Sequence, residues 1–354
     1  MRNQKGKTIR INRSHSSNRQ SSTPILGTWR KRIRTSGRTR KLWRYGLCLV
    51  AIVGLVGRKA SVTTATEGAG CVYPLGAETV LPGLTPAPGQ TVFQEFSTTY
   101  HANRLLDGQG RSLVPGFKLS VWAFAPKVVH NWGVHVLGGD WVTWTATPVA
   151  TLSLQTPAGK YSTTGFTNPV IGNDIAYDRG NWHWWYGLDV ETPPPVYHKG
   201  TALNPGQHNF ATTPVGAFTY LPHHGRTEIG SRLEYIVNYT NPADHYRSGN
   251  EFIWEYVAMQ NVTKKLAVGA NGYFYQQTTA DRLLGVVCGE GNQGRDLAIG
   301  PEVRYEVGHM LLIAKYTKDT LVQNRTFGNS FWIEFGLPLS HPHQRQQAQL
   351  SRPN

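Results

Sequence analysis

The chain lacks any run of the roughly twenty consecutive apolar residues that a membrane-crossing helix needs; its longest, Leu47–Gly57, spans eleven residues. A helical membrane bundle is thereby excluded. Cysteine is scarce, with three in 354 residues. One of them, Cys48, lies in the leader described below, so Cys71 and Cys288 alone remain and no disulfide framework is implied. Acidic residues are missing altogether before Glu67, and that absence decides what the net charge of +15 means. Residues 1–59 hold 16 of the 36 Lys and Arg, leaving 20 bases against 21 acids in the remainder. A nucleic-acid binder needs its positive charge on the folded surface, where it releases counterions from phosphates. Nucleic acid is therefore not an expected partner.

Signatures of catalysis are also missing. There is no Gly-x-Ser-x-Gly elbow, and His183, in Asn181-Trp-His-Trp-Trp185, has no nominated serine. The 13 histidines include the pairs His130/His135, His223/His224 and His341/His343, but none has Cys or carboxylate partners at zinc-site spacing. They read as solvated turn, loop and tail residues. No catalytic residue, metal or other cofactor is expected, and the chain does not read as an enzyme.

What is present begins with a leader. A basic stretch containing Lys31, Arg32, Arg34, Arg38, Arg40, Lys41 and Arg44 precedes the Leu47–Gly57 run, and small residues follow. That order describes an export signal, with cleavage expected after Ala65. Residues 1–65 are thus assigned as basic leader and signal peptide, and 66–90 as a Pro/Gly-rich segment. Pro74, Pro82, Pro86 and Pro88 bar that segment from being a helix or a central strand. Residues 91–339 are expected to form one β domain, and 340–354 a disordered polar tail.

Within 91–339 the recurring signal is alternation with a period of two. Ile229, Leu233, Tyr235 and Val237 oppose Glu228, Arg232 and Glu234. Phe252, Trp254 and Tyr256 oppose Glu251 and Glu255. Ile299, Val303, Tyr305 and Val307 oppose Glu302, Arg304 and Glu306, while Phe331, Ile333, Phe335 and Leu337 oppose Trp332 and Glu334. Twelve strand segments result, roughly 91–101, 115–127, 132–155, 170–177, 181–192, 208–222, 226–239, 248–260, 265–278, 295–307, 310–318 and 328–339. The intervals after odd-numbered segments are long and those after even-numbered ones short, as in transmembrane barrels with long external loops and short periplasmic turns. The expected fold is all-β: a closed antiparallel transmembrane β-barrel of about twelve strands in an up-and-down meander. Trp141, Trp144, Trp182, Trp184, Trp185, Tyr235, Tyr239, Tyr273, Tyr275, Tyr305 and Tyr316 are expected in interfacial girdles.

A strand protein in lipid must close on itself to satisfy its backbone hydrogen bonds, and its charged face must turn inward. Glu228, Arg232, Glu234, Glu251, Glu255, Glu302, Arg304, Glu306, Lys315 and Glu334 are accordingly the candidate lumen-lining residues. They either pair across neighbouring strands and cross-link the wall or form a charged constriction. A barrel of this size need not be open, because side chains or the segment 72–90 can fill it.

Several stretches in order along the chain carry a further signal: Tyr73-Pro-Leu-Gly-Ala-Glu-Thr-Val-Leu-Pro-Gly83, Val114-Pro-Gly-Phe117, Asn204-Pro-Gly206, Tyr246-Arg-Ser-Gly-Asn-Glu-Phe252, Gly272-Tyr-Phe-Tyr-Gln-Gln-Thr-Thr279, Gly291-Asn-Gln-Gly-Arg295 and Gly300-Pro-Glu-Val-Arg-Tyr305. In these the sequence resembles the family of proteins of the meta-pathway of phenol degradation. It departs from that pattern at Thr192-Pro-Pro-Pro-Val-Tyr197 and in continuing past Leu339. The resemblance implies an outer-membrane channel or transporter for passive or facilitated passage of small hydrophobic, including aromatic, molecules. Its partners would be outer-membrane lipid, that permeant and the barrel-assembly machinery. Two alternatives stand beside it: a structural or ligand-binding barrel without an open pore, and a secreted Trp-rich β-sandwich that binds carbohydrate.

Overall fold

The structure is a computed structural model that describes residues 70–340. The expected leader and signal peptide (1–65), like the tail beyond Ser340, lie outside the described residues. Strands form where the alternation is strongest: β1 (Thr91–Leu105), β2 (Lys118–Val136), β3 (Gly139–Ala146), β4 (Val149–Thr156), β5 (Gly159–Phe166), β6 (Val170–Arg179), β7 (Trp182–Glu191), β8 (Ala211–Tyr220) and β9 (Thr227–Asn238). They continue with β11 (Glu251–Asn261), β12 (Leu266–Gln277), β15 (Arg295–Val307), β16 (Met310–Gln323) and β17 (Thr326–Pro338). The two-residue strands β10 (Tyr246–Arg247), β13 (Arg282–Leu283) and β14 (Val286–Val287) make a separate small sheet within the loops.

Each long strand pairs antiparallel with its neighbours, and β1 hydrogen-bonds to both β17 and β2, so the ring closes. The result is a closed twelve-stranded antiparallel barrel. The β4–β5 hairpin is the one addition, attached along the first half of β2.

Side-chain placement inverts that of a water-soluble protein. Ile229, Leu233, Trp254, Ile299, Val303, Phe331 and Ile333 are each more than 40% exposed, while Glu228, Arg232, Glu255, Glu302 and Glu334 on the same strands are almost fully buried. Water would penalise both halves of this arrangement. An apolar solvent outside and a polar interior reward both. Stacked rings gather at the short-turn end, with Trp132 against Trp141 at 5.5 Å, Tyr177 against Trp184 at 5.4 Å and Trp182 against Tyr220 at 4.4 Å between centroids. Trp144, Trp185, Tyr273 and Tyr275 are not part of such a girdle. They are buried inside, because each falls on the inward parity of its strand.

Three connections differ from the expected segment boundaries. Residues 128–131 are not a turn: β2 runs to Val136, and the turn is Leu137-Gly138, whose φ values of 51° and 83° supply the two left-handed residues of a tight hairpin. The expected loop at 156–169 is instead the β4–β5 hairpin. Its strands are offset from β3 and β6 by Pro148 and Pro169, which have no N–H to continue the ladder. The expected loop at 319–327 is replaced by longer strands joined at Asn324-Arg325, with Asn324 at φ 52°. Long loops remain at 106–117, 192–210, 239–250 and 278–294, at the same end as the short Asn324-Arg325 turn and opposite the short turns at 137–138, 180–181, 262–265 and 308–309.

Candidate functional site

Because the proline-rich segment cannot join the sheet, its position is fixed by what the wall offers it. It lies inside the barrel, running from the long-loop end toward the short-turn end before entering β1. Its carbonyls accept from wall donors: Lys315 Nζ to Ala77 O at 2.8 Å, Trp185 Nε1 to Pro82 O at 2.7 Å and Asn131 Nδ2 to Pro86 O at 2.8 Å. Its amides donate to wall acceptors: Gly76 N to Glu255 at 2.6 Å, Glu78 N to Glu255 at 3.1 Å, Leu81 N to Glu228 at 3.0 Å and Gly83 N to Thr219 Oγ1 at 2.8 Å. Tyr73 Oη also donates to Glu255, at 3.0 Å. Gly83 approaches so closely that a Cβ there would lie 2.3 Å from the Thr219 amide nitrogen and 2.4 Å from the His183 carbonyl oxygen. The segment is therefore hydrogen-bonded along its length as an internal strand of the lumen would be, though it belongs to no sheet.

Its anchor is Glu78. One carboxylate oxygen takes Lys127 and the other Arg232 Nη1 at 2.9 Å. Two cations on the wall thus share its charge. Arg232 also contacts Asp189 at 3.3 Å and Glu234, and its guanidinium lies 5.2 Å from the Trp185 ring centre. Farther round the wall Arg304 pairs with Glu228, and Lys315 with Glu334 at 2.7 Å.

The structure thus brings together most of the residues singled out by alternation. Glu228, Arg232, Glu234, Glu255, Glu302, Arg304, Lys315 and Glu334 lie buried around the inner segment, and Glu251 sits toward the long-loop end, accepting from Asn238 at 2.6 Å. Glu306 does not join them. It is exposed, next to Val307 and the Gly308-His309 turn, where the rim of the wall stands beyond the filled interior.

Other interior charges were missed: Glu78, Lys127, Asp174, Asp189, Glu191, Asp296, Asp319 and Arg325. The parity rule, applied to β7, would have found Asp189 and Glu191, which alternate with Leu188 and Val190. Glu78 carries no periodic signal. Glu95 breaks the rule altogether. It pairs in register with Phe335 and Pro126 on the outer face, where Ser97 Oγ donates to it at 2.6 Å.

Two spaces complete the site. Between the inner segment and β1, β2, β3, β6 and β7 lies a small, partly enclosed cavity of about 50 Å³, open on one side, walled by Tyr73, Phe96, Trp144 and Val170 and reaching Asp189 and Glu191. On the outer surface, the register of β8 against β9 skips Thr213 and Pro214, and a groove beside this gap is lined by Trp184, Phe218, Leu233, Tyr235 and Phe252. Its floor reaches Glu234.

Comparison with known proteins follows this geometry. No curated protein sequence matches the chain. A solved structure, the COG4313 outer membrane channel from Pseudomonas putida F1, superimposes with a TM-score of 0.64 at 12% identity, covering 75% of this chain and 100% of that one. A Pseudomonas aeruginosa FadL homologue aligns with a TM-score of 0.35 at 10% identity, covering 77% and 97%. The family model described as "Putative MetA-pathway of phenol degradation" matches residues 102–335, and the chain belongs to that family.

Proposed function

From that membership and from the geometry of the interior, we propose that this protein resides in the bacterial outer membrane and passes small hydrophobic molecules, aromatic ones included, without an energy source of its own. The observation that carries the proposal is the cavity beside the inner segment. In an interior otherwise lined with paired charges it offers a wall of Phe96, Trp144, Tyr73 and Val170, which is the surface an apolar guest needs. The groove at the Pro214 gap is also aromatic and adjoins the lipid-facing side. Glu228, Arg232, Glu234, Glu255, Glu302, Arg304, Lys315 and Glu334 act as cross-links that hold the wall to the inner segment, rather than as a ring around an open pore. Export through a cleaved signal peptide and insertion by the barrel-assembly machinery belong to the same proposal.

The test is reconstitution of the refolded chain in liposomes that report entry of an aromatic solute, together with planar bilayers. Flux above protein-free liposomes is expected, with small conductance because the axial path is filled. No flux and no conductance reject transport. The filled axis favours one second reading, a ligand-binding barrel with no open pore. It predicts binding of the same solutes without flux.

A further inference from the structure

The cavity is apolar on one side and acidic on the other, and the acidic side is incomplete. Asp189 and Glu191 stand two residues apart on β7, both inward, and are 2% and 5% exposed. Each has one oxygen engaged: Asp189 Oδ2 with Arg232 at 3.3 Å, and Glu191 Oε1 with Thr213 Oγ1 at 2.9 Å. The other oxygen of each, Asp189 Oδ1 and Glu191 Oε2, is buried and has no hydrogen-bond partner. Both residues line the cavity.

The charge balance around them points the same way. Glu78, Asp174, Asp189, Glu191 and Glu234 share this part of the interior with two cations: Lys127 pairs with Glu78, and Arg232 is divided among Glu78, Asp189 and Glu234. Carboxylates left unpaired in such an environment are costly, and either a proton or a cation that brings its own apolar body relieves them. A metal ion is a poor match: among the described residues no group of three His, Cys, Asp or Glu side chains is arranged to hold one. The opposite wall supplies the rest of the complementarity. Phe96 and Val170 offer apolar surface, and the faces of Tyr73 and Trp144 are suited to a cation. Trp144 already holds Lys127 Nζ at 3.9 Å from its ring centre.

We propose that the cavity selects amphipathic organic cations, molecules with an aromatic or aliphatic body and a protonated amine, and that Asp189 and Glu191 receive the ammonium group. This deepens the transport reading and rests on it. The permeant class becomes hydrophobic amines, with neutral hydrophobic molecules accepted less well.

The experiment compares three probes of one shape on the refolded full-length chain: 2-phenylethylamine as its cation, neutral 2-phenylethanol and anionic phenylacetate. Binding is read by calorimetry in detergent at neutral pH, and flux into liposomes is measured in parallel. The amine is expected to bind at least ten-fold more tightly than the alcohol, with phenylacetate weakest. Asp189→Asn and Glu191→Gln, each first shown to migrate as a folded barrel on unheated gels, are expected to bring amine and alcohol within two- to three-fold of each other. Equal binding of amine and alcohol by the unmodified chain overturns the proposal without any variant, and so does discrimination that survives both substitutions. Flux of the neutral alcohol above protein-free liposomes, with no charge discrimination, would leave the transport reading standing while this one fails. Amine selectivity in binding with no flux of any probe would support the site and reject transport.

Discussion

The two arcs of the barrel interior solve the same problem differently. Along β9, β15, β16 and β17 two buried pairs close, Glu228 with Arg304 and Lys315 with Glu334, while Glu302 and Asp296 each keep one oxygen without a partner. Along β6 and β7 the acids Asp174, Asp189 and Glu191 outnumber the cations that reach them, and Arg232 is divided among Glu78, Asp189 and Glu234. The first arc is hydrogen-bonded to the inner segment through Glu228, Glu302 and Lys315. Beside the second lies the cavity. Paired charges serve as cross-links, and a surplus of one sign beside an unfilled space is what a binding site needs.

The sharpest way to break this comparison is to remove the shared cation. Arg232→Ala leaves Glu78, Asp189 and Glu234 buried around an empty place, and losing one partner of a buried pair costs about 3–5 kcal/mol. The denaturant midpoint of the refolded protein should fall accordingly, and single-channel conductance should rise as Glu78 loosens. An unchanged midpoint would mean that water already screens these groups.

Next in size is the anchor itself. Glu78→Gln keeps the shape of the side chain and removes the charge that Lys127 and Arg232 share. Leaving two buried cations without that partner should cost about 3 kcal/mol in the same denaturation assay. A midpoint that does not move would show that Glu78 is not held by Arg232 and Lys127.

The closed arc should be more forgiving. Glu228→Gln combined with Arg304→Met removes both charges at once and keeps an acceptor for the Leu81 amide. Replacing a buried pair with matched neutral groups is often close to neutral, so a loss of about 1 kcal/mol or less is expected in the same denaturation assay. A cost as large as that of Arg232→Ala would erase the distinction between the arcs.

The closed arc was also the more legible one. In β9, β11, β15 and β17 charged residues alternate with large apolar ones, so a period of two assigns both faces and the closed barrel follows from it. In β3, β6 and β7 the inward positions are taken by Trp144, Trp185, Gly172 and Ala176 as well as by acids, and aromatic residues alone do not say which face they take. Asn131 falls in the interval between two expected strand segments, 115–127 and 132–155, yet its side chain lies inside, bound to Pro86 O and Asp140. The inner segment was beyond the reach of periodicity. Its prolines excluded helix and central strand, but only the wall's donors and acceptors place it in the lumen.

Glu95 tests the rule on which both arcs depend. Charges belong on the inner face because the outer one meets lipid, yet Glu95 faces outward beside Phe335 and Pro126, with Ser97 as its hydrogen-bond donor. The residue is only 5% exposed, so its neighbours shelter it from the acyl chains without supplying a counter-charge. A lone acid on the lipid side of a barrel costs less than the roughly 2–4 kcal/mol measured for a base at mid-bilayer, and the Ser97 hydrogen bond offsets part of that. Glu95→Leu should therefore stabilise the barrel by about 1 kcal/mol, read as a higher denaturant midpoint in lipid bilayers, and leave amine binding in the cavity unchanged. If the substitution destabilises the barrel instead, Glu95 has a polar partner on the outer face beyond Ser97, and the outer surface of β1 is not simply a lipid contact.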